Sequence, residues 1–297
     1  MIKKNYENLS LILLLFLFSY FFIETGLHGD DLNYIEKYHK LSFNEYFSIN
    51  PNSKENNTFF ALTSHFAIFW PYAIFNENLS FVYDILKILL TYISIFFVYS
   101  FLNNYCSKKK SIISSIIFIL YPTHDSTFFW YTSIIHIFGP CCLLYIYSIA
   151  HKLKNKWILI LFLPATFISY SSPPFLIGLI VLSILERKKI EFYYLTIFTL
   201  TYFILYISFN FYYPNVATRI SDDLLIADFL KNIILKILTS IDTNFGPSLI
   251  LKLFFSIVNN SLESAIILIF SFILFLNYLK KKQPNVKKKA KTLFHLG

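Results

Sequence analysis

The chain has 297 residues, of which 56% are hydrophobic, 20% aromatic and only 14% charged, and its net charge is +9. Soluble domains carry about 25% charged residues, so the composition argues against an ordinary cytosolic enzyme, a disordered chain or a coiled coil, and for a polytopic membrane protein. Its basic residues fall in short clusters between apolar runs, the pattern of cytoplasmic loops rather than of a nucleic-acid partner.

The first apolar run, Leu9 to Ile23, follows Lys3 and Lys4. Glu24, Thr25, Gly26 and Leu27 offer no small-x-small cleavage site, so the run reads as an uncleaved first span. A polar stretch from Gly26 to about Thr58 comes next. Phe59 to Phe75 is semi-apolar, holds His65 and Pro71, and is expected to lie on the membrane surface as an amphipathic helix. Spans two to seven are expected at Phe81 to Leu102, Ser111 to Tyr121, Phe129 to Ala150, Trp157 to Ser169, Phe175 to Leu185 and Phe192 to Tyr212. A second polar stretch runs from Tyr213 to about Asn244. Pro247 to Val258 is a surface helix or a short span, and Ala265 to Leu279 is the last span. Several runs fall short of the ~20 residues of a membrane helix, which tilt and flanking aromatics can offset. The expected fold is therefore an all-α polytopic membrane protein of about eight transmembrane helices with an amphipathic surface helix in the first outer loop. Residues 1–279 form a single transmembrane domain with outer loops at about 26–80 and 213–262, and residues 280–297 form a basic, disordered cytoplasmic tail.

Eight spans put both termini on one side. Lys3, Lys4, Lys108 to Lys110, Lys152, Lys154, Lys156, Arg187, Lys188, Lys189 and seven lysines from Lys280 onward then share the cytoplasm, 18 of the 26 basic residues. Only Glu7, Glu186 and Glu191 of the 17 acids join them, as the positive-inside rule requires. The expected location is a bacterial inner membrane with both termini cytoplasmic. Cys106, Cys141 and Cys142 show no CxxC and no Cys/His metal spacing, and read as small buried hydrophobes.

Chemistry concentrates on the outer side. Asp30 and Asp31 stand just beyond the first span, where paired carboxylates suit a metal, a cationic group or a general base, or else a helix cap. Tyr121-Pro122-Thr123-His124-Asp125, followed by Trp130 and Tyr131, makes the tight outer turn between spans three and four. It holds His124 and Asp125 at the depth of Asp30 and Asp31, so the two acidic loops would converge in one carboxylate site. Ser169 to Pro174 is a compact turn with a structural role. Arg219, beside Asp222 and Asp223, can grip a phosphate or pair locally. His136 reads as a hydrogen-bonded packing residue and Asp84 as a helix-start cap. No Walker, GxSxG, HExxH or GxGxxG motif is present.

From about Leu9 to Tyr212 the order of features resembles the integral-membrane glycosyltransferases of the C type. It comprises a basic start and first span, an outer loop opening on Asp30-Asp31, a surface helix, the outer turn Pro122-Thr123-His124-Asp125 with Trp130, and a Ser-rich outer turn between two short spans. The resemblance implies transfer of a sugar from a polyprenyl-phosphate donor to a glycan, lipid or protein acceptor on the non-cytoplasmic face. Asp30 or Asp31 would serve as general base or metal partner and Asp125 as the second acid. His124, Arg219, Trp130 and Tyr34 would bind substrate, and Asp30 with Asp125 could hold Mg or Mn. Membrane lipids are the other partner, and nucleic acid is none. Some relatives carry Ser-Lys-Glu where this chain has Ser171-Ser172-Pro173, which removes the charge from that turn. Two readings compete: a non-catalytic subunit or decayed enzyme of a glycan-assembly system, and a transporter of lipid-linked glycans.

Overall fold

The computed structural model describes residues 25–49, 61–119, 130–153 and 156–212, with isolated positions before and after them. Contacts divide the chain into two compact units, one of Met1–Phe21 with Ala217–Lys282, the other of Phe22–Val216 with Gln283–Gly297. Nearly all described residues belong to the second. In the first, isolated positions such as Leu235, Leu238 and Ile266 are helical and exposed.

Every regular element among the described residues is a helix. In the second unit these are α1 (Asp30–Tyr38), α2 (Phe43–Ser48), α3 (Ala61–Ala67), α4 (Pro71–Ile74), α5 (Ser80–Leu102), α6 (Lys108–Ile119), α7 (Ile135–Lys152), α8 (Phe162–Thr166), α9 (Ser172–Leu185) and α10 (Lys189–Tyr212). Among the described residues three stretches are long and apolar enough to cross a membrane: Glu77–Leu102, Thr132–Ala150 and Lys189–Phe209. At 1.5 Å per residue the 23 residues of α5 reach about 35 Å, enough for a ~30 Å hydrocarbon core. Lys156–Thr166 and Ser172–Leu185 are apolar but shorter. The run expected as span five is a 3-10 segment, Lys156–Leu161, leading into the five-residue α8. Expected spans one and eight and the segment from Pro247 to Val258 lie largely outside the described residues, as does the basic tail.

The helices meet through small and polar groups, as membrane helices do where no water drives them together. α5 packs along α7, where Ser100 Oγ lies 3.1 Å from Ser148 Oγ and Asn104 Nδ2 donates to Ser148 Oγ at 3.0 Å. Farther along that seam the Phe97 and Tyr145 rings stack at 4.3 Å. α9 and α10 form a hairpin whose turn is a Schellman motif. Lys188 N–H donates to Ser183 O at 2.8 Å and Arg187 N–H to Ile184 O at 3.0 Å, with Arg187 left-handed at φ 55° where glycine is usual. Charged groups near helix ends are paired. Lys156 Nζ reaches Glu191 at 2.6 Å and Ala150 O at 2.7 Å, and Glu186 takes Lys188 and the Tyr147 hydroxyl.

The described residues of the expected first outer loop are more structured than their polar composition suggests. Ser42 and Glu45 form a capping box that starts α2. The single surface helix expected from Phe59 to Phe75 is two helices among its described residues, α3 and α4, because Pro71 has no N–H to continue α3 and instead begins α4. α2 is held to α3 by a buried pair: the His65 ring stacks on Tyr46 at 4.2 Å, His65 Nε2 lies 3.1 Å from Tyr46 O, and the Tyr46 hydroxyl donates to His65 O.

Two outcomes follow. A Cβ on Gly139 would lie 2.6 Å from Ser172 Oγ and 3.3 Å from Ile168 Cβ, where α7 meets the start of α9. Gly139→Ala should therefore cost about 1–3 kcal/mol in detergent unfolding, and adding Ser172→Ala should restore much of it. Burial holds the His65 imidazole below its ordinary pKa, the Tyr46 carbonyl and Lys37 being lesser influences. The unfolded chain therefore takes the proton first. Stability should fall as pH drops below about 6.5, a slope that His65→Gln should flatten in pH-dependent melting curves.

Candidate functional site

The Asp30-Asp31 pair divides into two different environments. A turn at Gly29, with φ +49°, leads into α1. Gly29 is required there twice over, because a Cβ would stand 3.0 Å from Trp130 Cη2 in a backbone conformation that L-residues avoid. From that start successive residues point about 100° apart: Asp30 is exposed, while Asp31 is fully buried.

A buried carboxylate is costly unless donors surround it, and Asp31 has five. Its Oδ2 accepts from His28 N–H at 3.1 Å and Tyr131 N–H at 3.2 Å. Its Oδ1 accepts from the Tyr72 hydroxyl and Thr132 N–H, each at 2.8 Å, and from the Thr132 hydroxyl. Burial, followed by the neighbouring Asp31 charge, pushes the Tyr72 phenol well above its ordinary pKa. Burial, Tyr83 and Asp31 likewise raise Tyr131. Both phenols therefore remain protonated, and Tyr72 stays a donor to the carboxylate. These bonds tie the loop at 28–31, α4 and the turn before α7 together across about 100 residues of sequence.

Tyrosines build the walls. Tyr72 and Tyr83 stack at 5.4 Å, and Tyr131 meets both edge-on at 5.5 and 5.4 Å. Their hydroxyls are spent on chain ends that helices leave unpaired: Tyr83 donates to Phe75 O at 2.7 Å and Tyr131 to Ile68 O at 2.5 Å. Tyr34, expected to bind substrate, is half-buried and stacks on Tyr72 at 5.6 Å. Burial and the Asp30 charge raise its pKa. Trp130, the other described binding candidate, covers Gly29. The loop at 28–31 and the lead-in to α7 thus meet through the Asp31 carboxylate and the Tyr131 and Thr132 N–H groups. His124, Asp125 and Arg219 lie outside the described residues.

A second buried cluster lies at the start of α5. Lys87 Nζ contacts Asp84 Oδ1 at 2.8 Å, Thr25 Oγ1 at 2.8 Å and Gly26 O at 2.7 Å. Asp84 Oδ1 also accepts from Thr25 Oγ1 at 2.9 Å and Gly26 N–H at 3.0 Å. Asp84 is therefore not the helix-start cap that its position suggests, since it stands at the fifth residue of α5 and faces a buried ammonium. His136 does pack as expected, its Nδ1 2.6 Å from Ser169 Oγ and its ring 4.2 Å from Tyr170. Beside it an apolar groove of about 270 Å3 runs between α9 and α10, lined by Tyr170, Pro173, Pro174, Ile177, Tyr202, Phe203 and Tyr206.

Asp125, the expected partner of Asp30 in a cation site, is not among the described residues. Both Asp31 oxygens are taken by N–H and O–H donors, and no three His, Cys, Asp or Glu side chains among the described residues are grouped to hold a metal. What the arrangement offers is one rigidly framed, exposed carboxylate, Asp30, next to Tyr34 and the Trp130 ring.

Asp31→Asn places an amide NH2 against N–H donors and removes the charge that they serve, so it should cost about 3 kcal/mol or more. Asp30→Asn should stay within about 0.5 kcal/mol of wild type. Thermal unfolding of the two purified variants compares them directly, and equal losses would contradict the division of roles. Comparison with protein-family models, with characterised proteins and with solved structures finds no match to this chain.

Proposed function

We propose that the chain is an integral-membrane glycosyltransferase that moves a sugar from a polyprenyl-phosphate donor to an acceptor hydroxyl on the non-cytoplasmic face, in a bacterial inner membrane with both termini cytoplasmic. The observation that carries the reading is the split of the acid pair. Asp31 is consumed in framing the outer loop, and Asp30 is presented on that frame, exposed, one residue away. A catalytic carboxylate needs this rigid support.

In this mechanism Asp30 accepts the proton of the acceptor hydroxyl. The hydroxyl oxygen forms a bond to the anomeric carbon, and the carbon–oxygen bond to phosphate breaks, its electron pair leaving with the polyprenyl phosphate. Arg219 would stabilise the departing phosphate and Asp125 and His124 would complete the outer turn, all three being outside the described residues. Trp130 and Tyr34 offer ring faces to a sugar. The apolar groove beside Tyr170 and Tyr206 offers the isoprenoid chain a path between α9 and α10. No step is routed through a metal.

A second reading, a non-catalytic subunit of a glycan-assembly system, is favoured by the saturation of Asp31, which leaves that acid a packing role alone. Sugar transfer in membranes separates the two. Asp30→Asn should lower transfer from radiolabelled polyprenyl-phosphate sugars by about a hundredfold or more while inserting and melting as wild type does. Full activity in Asp30→Asn would overturn the assignment of the base, and no transfer by the wild type from a broad donor panel would favour the subunit.

A further inference from the structure

The exposed face of α1 carries an open cleft of about 500 Å3, formed with the turn after α4. Its polar lining comes from Asn33 and Glu36 on the helix, from His39 and Lys40 just past its end, and from Asn76, Glu77 and Asn78 opposite. Leu32 and Ile35 supply its apolar part, Leu32 being 47% exposed. A second depression of about 380 Å3 adjoins it and shares Asn33, Glu36 and Lys40, adding Lys37. Both volumes fall within the about 300–1,000 Å3 of small-molecule sites.

We propose that this face of α1 binds a neutral oligosaccharide, the acceptor of the transferase reading, on which the word acceptor rests. Three features of the lining select that chemistry. Glu36 and Glu77 are balanced by Lys37 and Lys40 across the two depressions, so neither a cation nor an anion is favoured overall. The three asparagines interleave donors with acceptors, and a sugar hydroxyl is both at once. The exposed Leu32 side chain offers an apolar patch to the C–H face of a pyranose.

Asn76, on the far wall of the cleft, has its Oδ1 turned inward and buried without a hydrogen bond, a condition that costs free energy until a donor arrives. Rotation of the amide toward the cleft would bring that oxygen to a ligand hydroxyl. The two adjoining depressions, parted by shared residues, suit successive sugar units. The cleft also begins close to the proposed base: Asn33 is three residues beyond Asp30, a neighbour on the helix surface. A sugar seated at Asn33 thus lies within a turn of Asp30.

The test uses the full chain in lipid nanodiscs and saturation-transfer NMR, with maltotriose, cellotriose and tri-N-acetylchitotriose as probes. At least one probe should receive saturation from the wild type. Its Kd should rise about tenfold in Asn33→Ala/Glu77→Gln and in Asn76→Ala. Asn33 and Glu77 are exposed, so the first variant should melt as wild type does. Saturation reaching none of the probes, or Kd values unchanged in both variants, would overturn the cleft. The transferase reading fails separately. Binding without transfer would remove the enzyme and leave the cleft, whereas transfer with an acceptor KM unchanged by these variants would remove the cleft and leave the enzyme.

Discussion

A carboxylate taken out of water must be met by donors, and the segment from α1 to α4 with the lead-in to α7 is arranged around meeting that need at Asp31. Two of the five donors are backbone N–H groups of Tyr131 and Thr132. The lead-in to α7 therefore cannot move without breaking charge-assisted bonds, which are about twice as strong as neutral ones. A third is the Tyr72 hydroxyl, which carries α4 with it. Four other positions then follow from one anion: Gly29 in its left-handed turn, Trp130 above it, Tyr83 beside Tyr72, and Asp30 held at the surface.

The same rule governs the membrane-spanning part. Lys87 and Asp84 sit in a helix that is otherwise apolar, and they pair with each other and with Thr25 and Gly26 rather than with solvent. The ion pair therefore fastens the segment at Thr25 and Gly26 to α5. Breaking a buried pair by removing one partner is costly, whereas replacing both by well-packed apolar groups often is not. The pair is thus better understood as setting where that segment docks than as adding stability.

How much of this was legible in the sequence depends on the kind of signal. The long apolar stretches at Phe81 to Leu102, Phe129 to Ala150 and Phe192 to Tyr212 correspond to the three helices long enough to span among the described residues, because hydrophobic length is additive along the chain. The run from Trp157 to Ser169 has the same composition but forms a 3-10 segment and a short helix, since composition alone does not register where helical hydrogen bonding stops. The Asp30-Asp31 loop meets Tyr131 and Thr132, whereas its expected meeting with His124 and Asp125 falls outside the described residues. That Asp31 and not Asp30 makes the contact was not legible, because adjacent residues on a helix look alike in sequence and differ by about 100° in direction. Tyr72 and Tyr83 were missed because tyrosine is abundant throughout the chain, and Thr132 because a lone threonine carries no pattern. Lys87 was missed although a signal was there: a lysine three residues after an aspartate in an apolar run shares its helix face and invites pairing.

The division between Asp30 and Asp31 also bears on how a loop of short helices holds its shape. α1 to α4 are each at most nine residues long, too short to hold their shape in water alone. Their rigidity comes from tyrosine rings stacked beneath them and from the buried carboxylate that those rings enclose. An acid on such a frame keeps its direction while remaining open to solvent and to a partner, which neither a flexible loop nor a buried core position allows. The adjacent pair therefore meets two conditions that a single aspartate could not, since Asp31, which secures the loop, has its lone pairs taken by five donors, while Asp30 stays exposed at the surface.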